Sequence, residues 1–192
     1  MTTNNHNTKN QKLLNRAKNI RLLLLDVDGV LTDGRLYYGN NGEELKAFNI
    51  QDGLGIKLLQ RNGIQVGIIT GRSSELLARR ASELGIELVI QGREDKLIAL
   101  QEILENLQEA TNEGAQAPYQ MEQIAFLGDD LPDVAVIRRV GLGVAVANAR
   151  SFIAENAHWQ TTTNGGYGAV RELAEMLLHA QGKLDSIHAS YL

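Results

Sequence analysis

The chain contains no cysteine. Disulfide staples, thiolate catalysis and cysteine-held zinc are therefore excluded at the outset. Histidine is scarce and scattered: His6, His158, His179 and His188 include no pair at helical ligand spacing. A structural or solvent-facing role is the reading for each. A basic surplus is missing as well. The 19 Lys and Arg against 23 Asp and Glu leave a formal net charge of -4. That gives no general attraction to nucleic acid or to an anionic membrane, so any anion site must be local. No apolar run approaches the roughly 20 residues of a membrane span. The opening stretch "MTTNNHNTKNQKLLNRAKN" is polar and lacks an apolar signal core. A cytoplasmic protein that works on neither nucleic acid nor membrane is the expectation.

What is present fits one ordinary domain with a real core: 192 residues, 43% hydrophobic and 22% charged. Residues 1–19 read as a polar extension, the first ten disordered and 11–19 a short helix. Residues 20–180 read as the domain and 181–192 as a tail. Apolar, strand-sized runs recur along the domain: "IRLLLLDV", "IQVGIIT", "IELVIQ", "QIAFLGD" and "GLGVAV". Amphipathic segments separate them. Asp52 can cap "GLGIKLLQRN" and Gly63 can end it in the left-handed region. Ser73 can cap "SELLARRASEL", with Gly85 closing it. "EDKLIALQEILENLQEA" carries an apolar stripe at helical spacing, and "LPDVAVIRRV" has Pro132 where a helix start tolerates it. Strands alternating with helices predict an α/β, Rossmann-like three-layer sandwich, a parallel sheet between two helical layers. One segment breaks the rhythm. "GRLYYGNNGEELKAFN" reads as a β-hairpin over about 35–48, projecting after the first strand, with Tyr37, Tyr38 and Phe48 exposed. "TNEGAQAPYQ" (111–120) reads as a polar surface loop with no assigned function.

Four strand ends carry the chemistry, since open α/β sheets collect functional groups at the carboxyl edge. The first strand ends in Asp26 and Asp28, the second in Thr70, Gly71 and Arg72. The helix after the third brings Lys96. The fourth ends in Gly128, Asp129 and Asp130, with Asp133 beyond. Carboxylates at about 4 Å repel by roughly 4 kcal/mol each at an effective dielectric of about 20. A hard divalent cation with oxygen ligands is the economical remedy, and magnesium suits a few carboxylates, waters and a phosphate. Other readings fit less well. An EF-hand loop counted from Asp26 places Tyr37 where a glutamate belongs, and a strand precedes it. A Walker-A loop is absent, and "GLGVAV" lacks the third glycine of a dinucleotide fingerprint. Taken singly, "DVDG" reads also as a turn and "GDDLPD" as a helix cap.

In that order the motifs "DVDGVLTDG" (26–34), "IITGR" (68–72), Lys96 and "GDDLPD" (128–133) resemble the four signature motifs of the haloacid dehalogenase superfamily of phosphotransferases. The resemblance spans roughly residues 20–182. The hairpin and "GGYGAVRELAEMLLHAQGKLD" (165–185) narrow it to the phosphatases of sugar acids that lack a cap domain. The resemblance implies that Asp26 attacks phosphorus, forming an aspartyl-phosphate, and that Asp28 serves as acid and then base. It implies magnesium held by the side chains of Asp26 and Asp129 and by the backbone carbonyl of Asp28. Asp130 and Asp133 would support the metal site, while Thr70 and the backbone at Gly71 hold phosphate oxygens. For the sugar acid it points to Asp28, Asn49, Ile50, Gln51, Asp52, Gly53, Lys57, Gly71, Arg72, Arg80 and Lys96. Position 57 departs from the pattern, with lysine in place of arginine, which keeps the charge but loses bidentate geometry. Arg79 and Arg80 read equally as a solvated helix face. The implied substrate is the 8-phosphate of an eight-carbon sugar acid of lipopolysaccharide, or alternatively a nine-carbon analogue. A relative that binds a phosphorylated ligand without turning it over is the other alternative. A homotetramer joined through its hairpins is implied too, with the C-terminal tail reaching toward a neighbouring site.

Overall fold

A computed structural model describes residues 3–40, 44–111 and 119–192. The hairpin's turn (41–43), most of the polar loop (112–118) and residues 1–2 lie outside the described residues. In chain order the elements are α1 (Thr3–Lys18), β1 (Leu22–Leu25), β2 (Tyr37–Tyr38), β3 (Glu44–Leu45), α2 (Ile50–Arg61) and β4 (Gln65–Ile69). There follow α3 (Glu75–Leu84), β5 (Leu88–Ile90), α4 (Lys96–Thr111), β6 (Ile124–Gly128), α5 (Val134–Ile137) and β7 (Leu142–Ala145). The chain ends with α6 (Ser151–Asn156), β8 (Trp159–Gln160), α7 (Ala169–Ala180) and α8 (Leu184–Ala189).

Six strands make one sheet in the order β5-β4-β1-β6-β7-β8. Every pairing in it is parallel. All five expected strands are present; β8 adds a sixth at the edge. The four leucines of β1 are fully buried because the strand lies centrally between β4 and β6. Their alternation splits the core. Leu23 and Leu25 face the layer of α1, α2, α3, α7 and α8. Leu22 and Leu24 face the layer of α4, α5 and α6. The strand order reverses direction at β1, between β4 on one side and β6 on the other. That is the position where open α/β sheets leave a crevice at their carboxyl edge.

Local differences from expectation have physical causes. Helix α1 begins at Thr3, where only a short helix over 11–19 is expected; Leu13, Leu14 and Ala17 anchor it to the core. Helix α2 starts earlier than Asp52 implies. Its N-cap is Asn49, whose side chain accepts the Gln51 N–H at 2.8 Å. Asp52 falls inside the helix. The cap of α3 is Ser74 rather than Ser73. "LPDVAVIRRV" is not one helix but a 3-10 turn (Leu131–Asp133) running into the short α5. Asn62 is the C-cap of α2, with Gly63 following at φ 82°, and Gly85 closes α3 at φ 66°, both as expected. The hairpin is present as β2 and β3, with Tyr38 64% exposed. Phe48 is not exposed with it: it packs against the core, its ring lying 5.9 Å from the Arg80 guanidinium. The C-terminal stretch folds back as α8, where Ile187 joins the core. Among the described residues no helix is long and apolar enough to cross a membrane.

Candidate active site

Asp26 is the first residue past β1, and its N–H still bonds Leu127 O of β6 at 3.1 Å. The sheet therefore fixes its backbone. Just beyond, the chain leaves strand geometry. The N–H groups of Val30, Leu31 and Thr32 all converge on Val27 O, and Gly29 adopts φ 96°. This turn lets Asp26 and Asp28 point differently although two residues separate them. Glycine is required at 29 for a second reason: a Cβ there would sit 2.2 Å from Asp129 Oδ2.

Four charged groups then meet. Lys96, first residue of α4, is 4% exposed. Its Nζ lies 2.6 Å from Asp26 Oδ1 and 2.6 Å from Asp133 Oδ1. A lysine at a helix N-terminus opposes the helix dipole; two carboxylates offset that cost. Asp133 Oδ2 accepts the N–H groups of Asp129 at 2.9 Å and Asp130 at 3.2 Å. Both Asp133 oxygens are thus engaged, which suits it to orienting the loop after β6. The clamp Arg93–Asp95–Glu102 steadies the entry to α4, with Arg93 Nη1 2.7 Å from Glu102 Oε2 and Nε 2.7 Å from Asp95 Oδ1.

Asp26, Asp129 and Asp133 each offer an oxygen within 4.8 Å of the others. Three carboxylate donors this close fit a hard divalent cation. The electrostatics agree. Burial, with Asp133 beside it, pushes Asp26 up to about 6 against the pull of Lys96. Burial, then Asp26, Asp133 and Asp130, pushes Asp129 up to about 8. Burial works against the Lys96 charge, yet Asp26 and Asp133 outweigh it, so its pKa lies above the ordinary lysine value. The cluster therefore holds its carboxylates above the ordinary range, a cost that a bound cation would relieve.

Asp28 points elsewhere. Its Oδ1 lies 2.5 Å from Lys46 Nζ and its Oδ2 3.5 Å from Arg72 Nε. Lys46 follows β3 and is missed by sequence reasoning. One buried cation in a polar hairpin has no periodic signature; a lysine beside the aromatic face of the ribbon was the available hint. Thr70 is buried at the end of β4, its Oγ1 accepting the Arg72 N–H at 3.4 Å. Asn49 Nδ2 donates to Gly166 O at 3.4 Å, tying the start of α2 to the loop over 165–168.

Other expected residues lie apart. Asp52 is 1% exposed, and its Oδ1 accepts the Arg171 N–H of α7 at 2.9 Å. It braces the beginning of α7, and burial raises its pKa. Lys57 lines a cavity of about 460 Å³ with Gln65 and Glu87, residues at the amino ends of β4 and β5. That is the edge of the sheet opposite Asp26. Arg80 stacks on Phe48, contacts Glu83 at 3.4 Å, and lies with its guanidinium against Gly53. Asp130 is exposed and caps the 3-10 turn, accepting the Leu131 N–H at 2.8 Å; it is not in the three-carboxylate cluster. Ile50 is exposed at the start of α2.

Comparison with known proteins extends this geometry. The profile of the haloacid dehalogenase-like hydrolases matches residues 90–173. The 3-deoxy-D-manno-octulosonate 8-phosphate phosphatase KdsC of Escherichia coli K12 is 52% identical over 170 residues, 88% of this chain and 85% of that protein. The crystal structure of the phosphatase of that name from Yersinia pestis is 50% identical. It superposes with a TM-score of 0.84 over 91% of this chain and 89% of the other. The same-named phosphatase of Moraxella catarrhalis, solved with magnesium ion, phosphate ion and a KDO molecule, is 41% identical. Its TM-score is 0.88 over 95% and 99% of the two chains.

Proposed function

The chain belongs to the haloacid dehalogenase-like hydrolases and, within them, to the 3-deoxy-D-manno-octulosonate 8-phosphate phosphatases; from that premise we propose that it hydrolyses this sugar-acid phosphate to the free acid and phosphate. The observation that carries the reading is the buried Asp26 at the switch point of the sheet, paired with Lys96 and facing Asp129. A sugar acid of the lipopolysaccharide inner region is thereby the product.

Asp26 is placed to attack phosphorus, since its backbone is locked into the sheet. The Asp26–phosphorus bond forms as the phosphorus–oxygen bond to the sugar breaks, and Asp28 protonates the departing oxygen. Asp28 then takes a proton from water, whose oxygen attacks phosphorus and releases Asp26. Asp26 and Asp129 would hold magnesium with the backbone carbonyl of Asp28. When bound, the ion supplies the positive charge that lets carboxylates and phosphate approach one another. Lys96 adds a further positive charge against Asp26 Oδ1. Thr70 and the backbone at Gly71 are positioned to hold phosphate oxygens. For the sugar the same reading assigns Asn49, Gln51 and Arg72, with Ile50 and Gly53 beside them at the start of α2. Lys57, Asp52 and Arg80 contribute through packing in a single subunit.

A homotetramer built on the exposed hairpins belongs to the same reading; Leu36, Tyr37, Tyr38 and Leu45 are large and exposed there. So does a cytoplasmic location, since a sugar carrying both a carboxylate and a phosphate does not cross a bilayer unaided. The test is phosphate release from eight- and nine-carbon sugar-acid phosphates with magnesium and with EDTA. Turnover requires magnesium, is fastest on the eight-carbon substrate, and vanishes in Asp26→Asn. Release that persists in that variant overturns the aspartyl-phosphate route; preference for the nine-carbon acid overturns the substrate.

A further inference from the structure

Lys46 is a charged side chain that is 2% exposed. Burying a lysine costs free energy that an apolar residue would avoid, so a lysine serving only to seat the hairpin would be a poor choice. One partner is Asp28, a carboxylate of the candidate site rather than of the hairpin. Asp28 has a side chain 21% exposed, on the turn after β1, and Lys46 Nζ holds its Oδ1 at 2.5 Å. The other oxygen, Oδ2, meets Arg72 Nε at the looser 3.5 Å. Arg72 in turn reaches the Tyr38 hydroxyl of β2 at 3.3 Å. Both ties of Asp28 therefore lead to the hairpin, one directly and one through Arg72.

We infer that Lys46 is a positioning residue for proton transfer: by fixing Oδ1 of Asp28 it leaves Oδ2 as the oxygen that exchanges the proton with the leaving group and then with water. The inference rests on the reading of Asp28 as acid and base. In the first half-reaction the phosphorus–oxygen bond to the sugar breaks as the Oδ2 proton passes to that oxygen. In the second, water loses a proton to Oδ2 as its oxygen bonds phosphorus and the bond to Asp26 breaks. A carboxyl free to rotate would present either oxygen, and proton transfer needs its donor within hydrogen-bond reach of a defined atom. The seating of the hairpin then sets the alignment of the acid.

Leaving-group dependence separates this role from others. A sugar alkoxide needs its proton; 4-nitrophenolate leaves without one. The experiment measures kcat and KM on the sugar-acid phosphate and on 4-nitrophenyl phosphate for the wild type, Lys46→Met, Lys46→Arg, Asp28→Asn and the double variant. The ratio of the two kcat/KM values reads only the steps through phosphoryl transfer to Asp26, where the leaving groups differ, and does not depend on the fraction of enzyme folded. Lys46→Met lowers that ratio by about tenfold or more, part of the roughly 10²–10⁴ that positioned proton transfer contributes. Lys46→Arg restores much of it, and the double variant falls no further than Asp28→Asn. An unchanged ratio in Lys46→Met overturns the inference, because a structural role slows both substrates alike. A raised KM with kcat intact overturns it in favour of a contact to substrate. If Asp28→Asn itself leaves the ratio unchanged, the fault lies in the assignment of the acid.

Discussion

Asp26 and Asp129 retain their protons above the ordinary carboxylate range because burial opposes ionisation, joined by the charge of Asp133 at Asp26 and by those of Asp26, Asp133 and Asp130 at Asp129. Both folded-state values lie above the unfolded reference of about 3.9. The folded chain therefore binds protons that the unfolded chain has released, and stability present at low pH is lost as pH rises through about 6 and about 8. In EDTA the melting temperature should fall over that window. Magnesium should flatten the fall, contributing about 2.7 kcal/mol at a hundredfold excess over Kd. Asp129→Asn should remove most of the pH dependence and most of the magnesium gain. A magnesium gain of equal size at both ends of the window would contradict the assignment of these carboxylates as ligands. The residues of this cluster were legible in the sequence because each sits at the end of a strand or the start of a helix, where pattern alone fixes position. Lys57 was not. Helix α2 runs away from the carboxyl edge at about 1.5 Å per residue, and two turns carry that lysine to the opposite side. Lys46 and the turned-away side chain of Asp52 depend on contacts between distant segments, which spacing does not encode.

At the scale of elements, two loops are pressed together. A Cβ at Gly165 would lie 1.6 Å from Gly29 O, and Gly166 N–H bonds Val30 O at 2.8 Å. The loop before α7 is thus a buttress for the turn that carries Asp28, and Asp52 braces the start of α7 behind it. Gly165→Ala should cost about 1–3 kcal/mol in urea denaturation, as overpacking does. It should also lower kcat beyond what the loss of folded enzyme explains. Wild-type values for both would show that the loop can move aside. Five strands of the sheet and the helices α2, α3 and α4 could be read from periodicity. The caps could not be read to the residue, since Asn49 and Asp52, or Ser73 and Ser74, are chemically equivalent candidates a few positions apart. β8 escaped because two edge residues, Trp159 and Gln160, make no apolar run.

For the whole molecule, the alternation of strand and helix was enough to give a parallel sheet between two layers, because continuous apolar strands leave no other place for burial. Assembly is a different matter. The ribbon of β2 and β3 pairs two residues with two, and an isolated hairpin is marginal in water. Native mass spectrometry at micromolar concentration should find four copies together; a monomer would exclude hairpin-joined assembly. The two halves of the proposed machinery rest on unequal foundations. Leu22 to Leu25 lie in the most protected segment of the chain, so the attacking carboxylate is lost only when the molecule is lost. Its proton donor is set by a ribbon that pairs only two residues with two and leaves Tyr37, Tyr38 and Leu45 exposed. Heating should therefore cost turnover of the sugar-acid phosphate before turnover of 4-nitrophenyl phosphate, and parallel losses of the two activities would contradict that order.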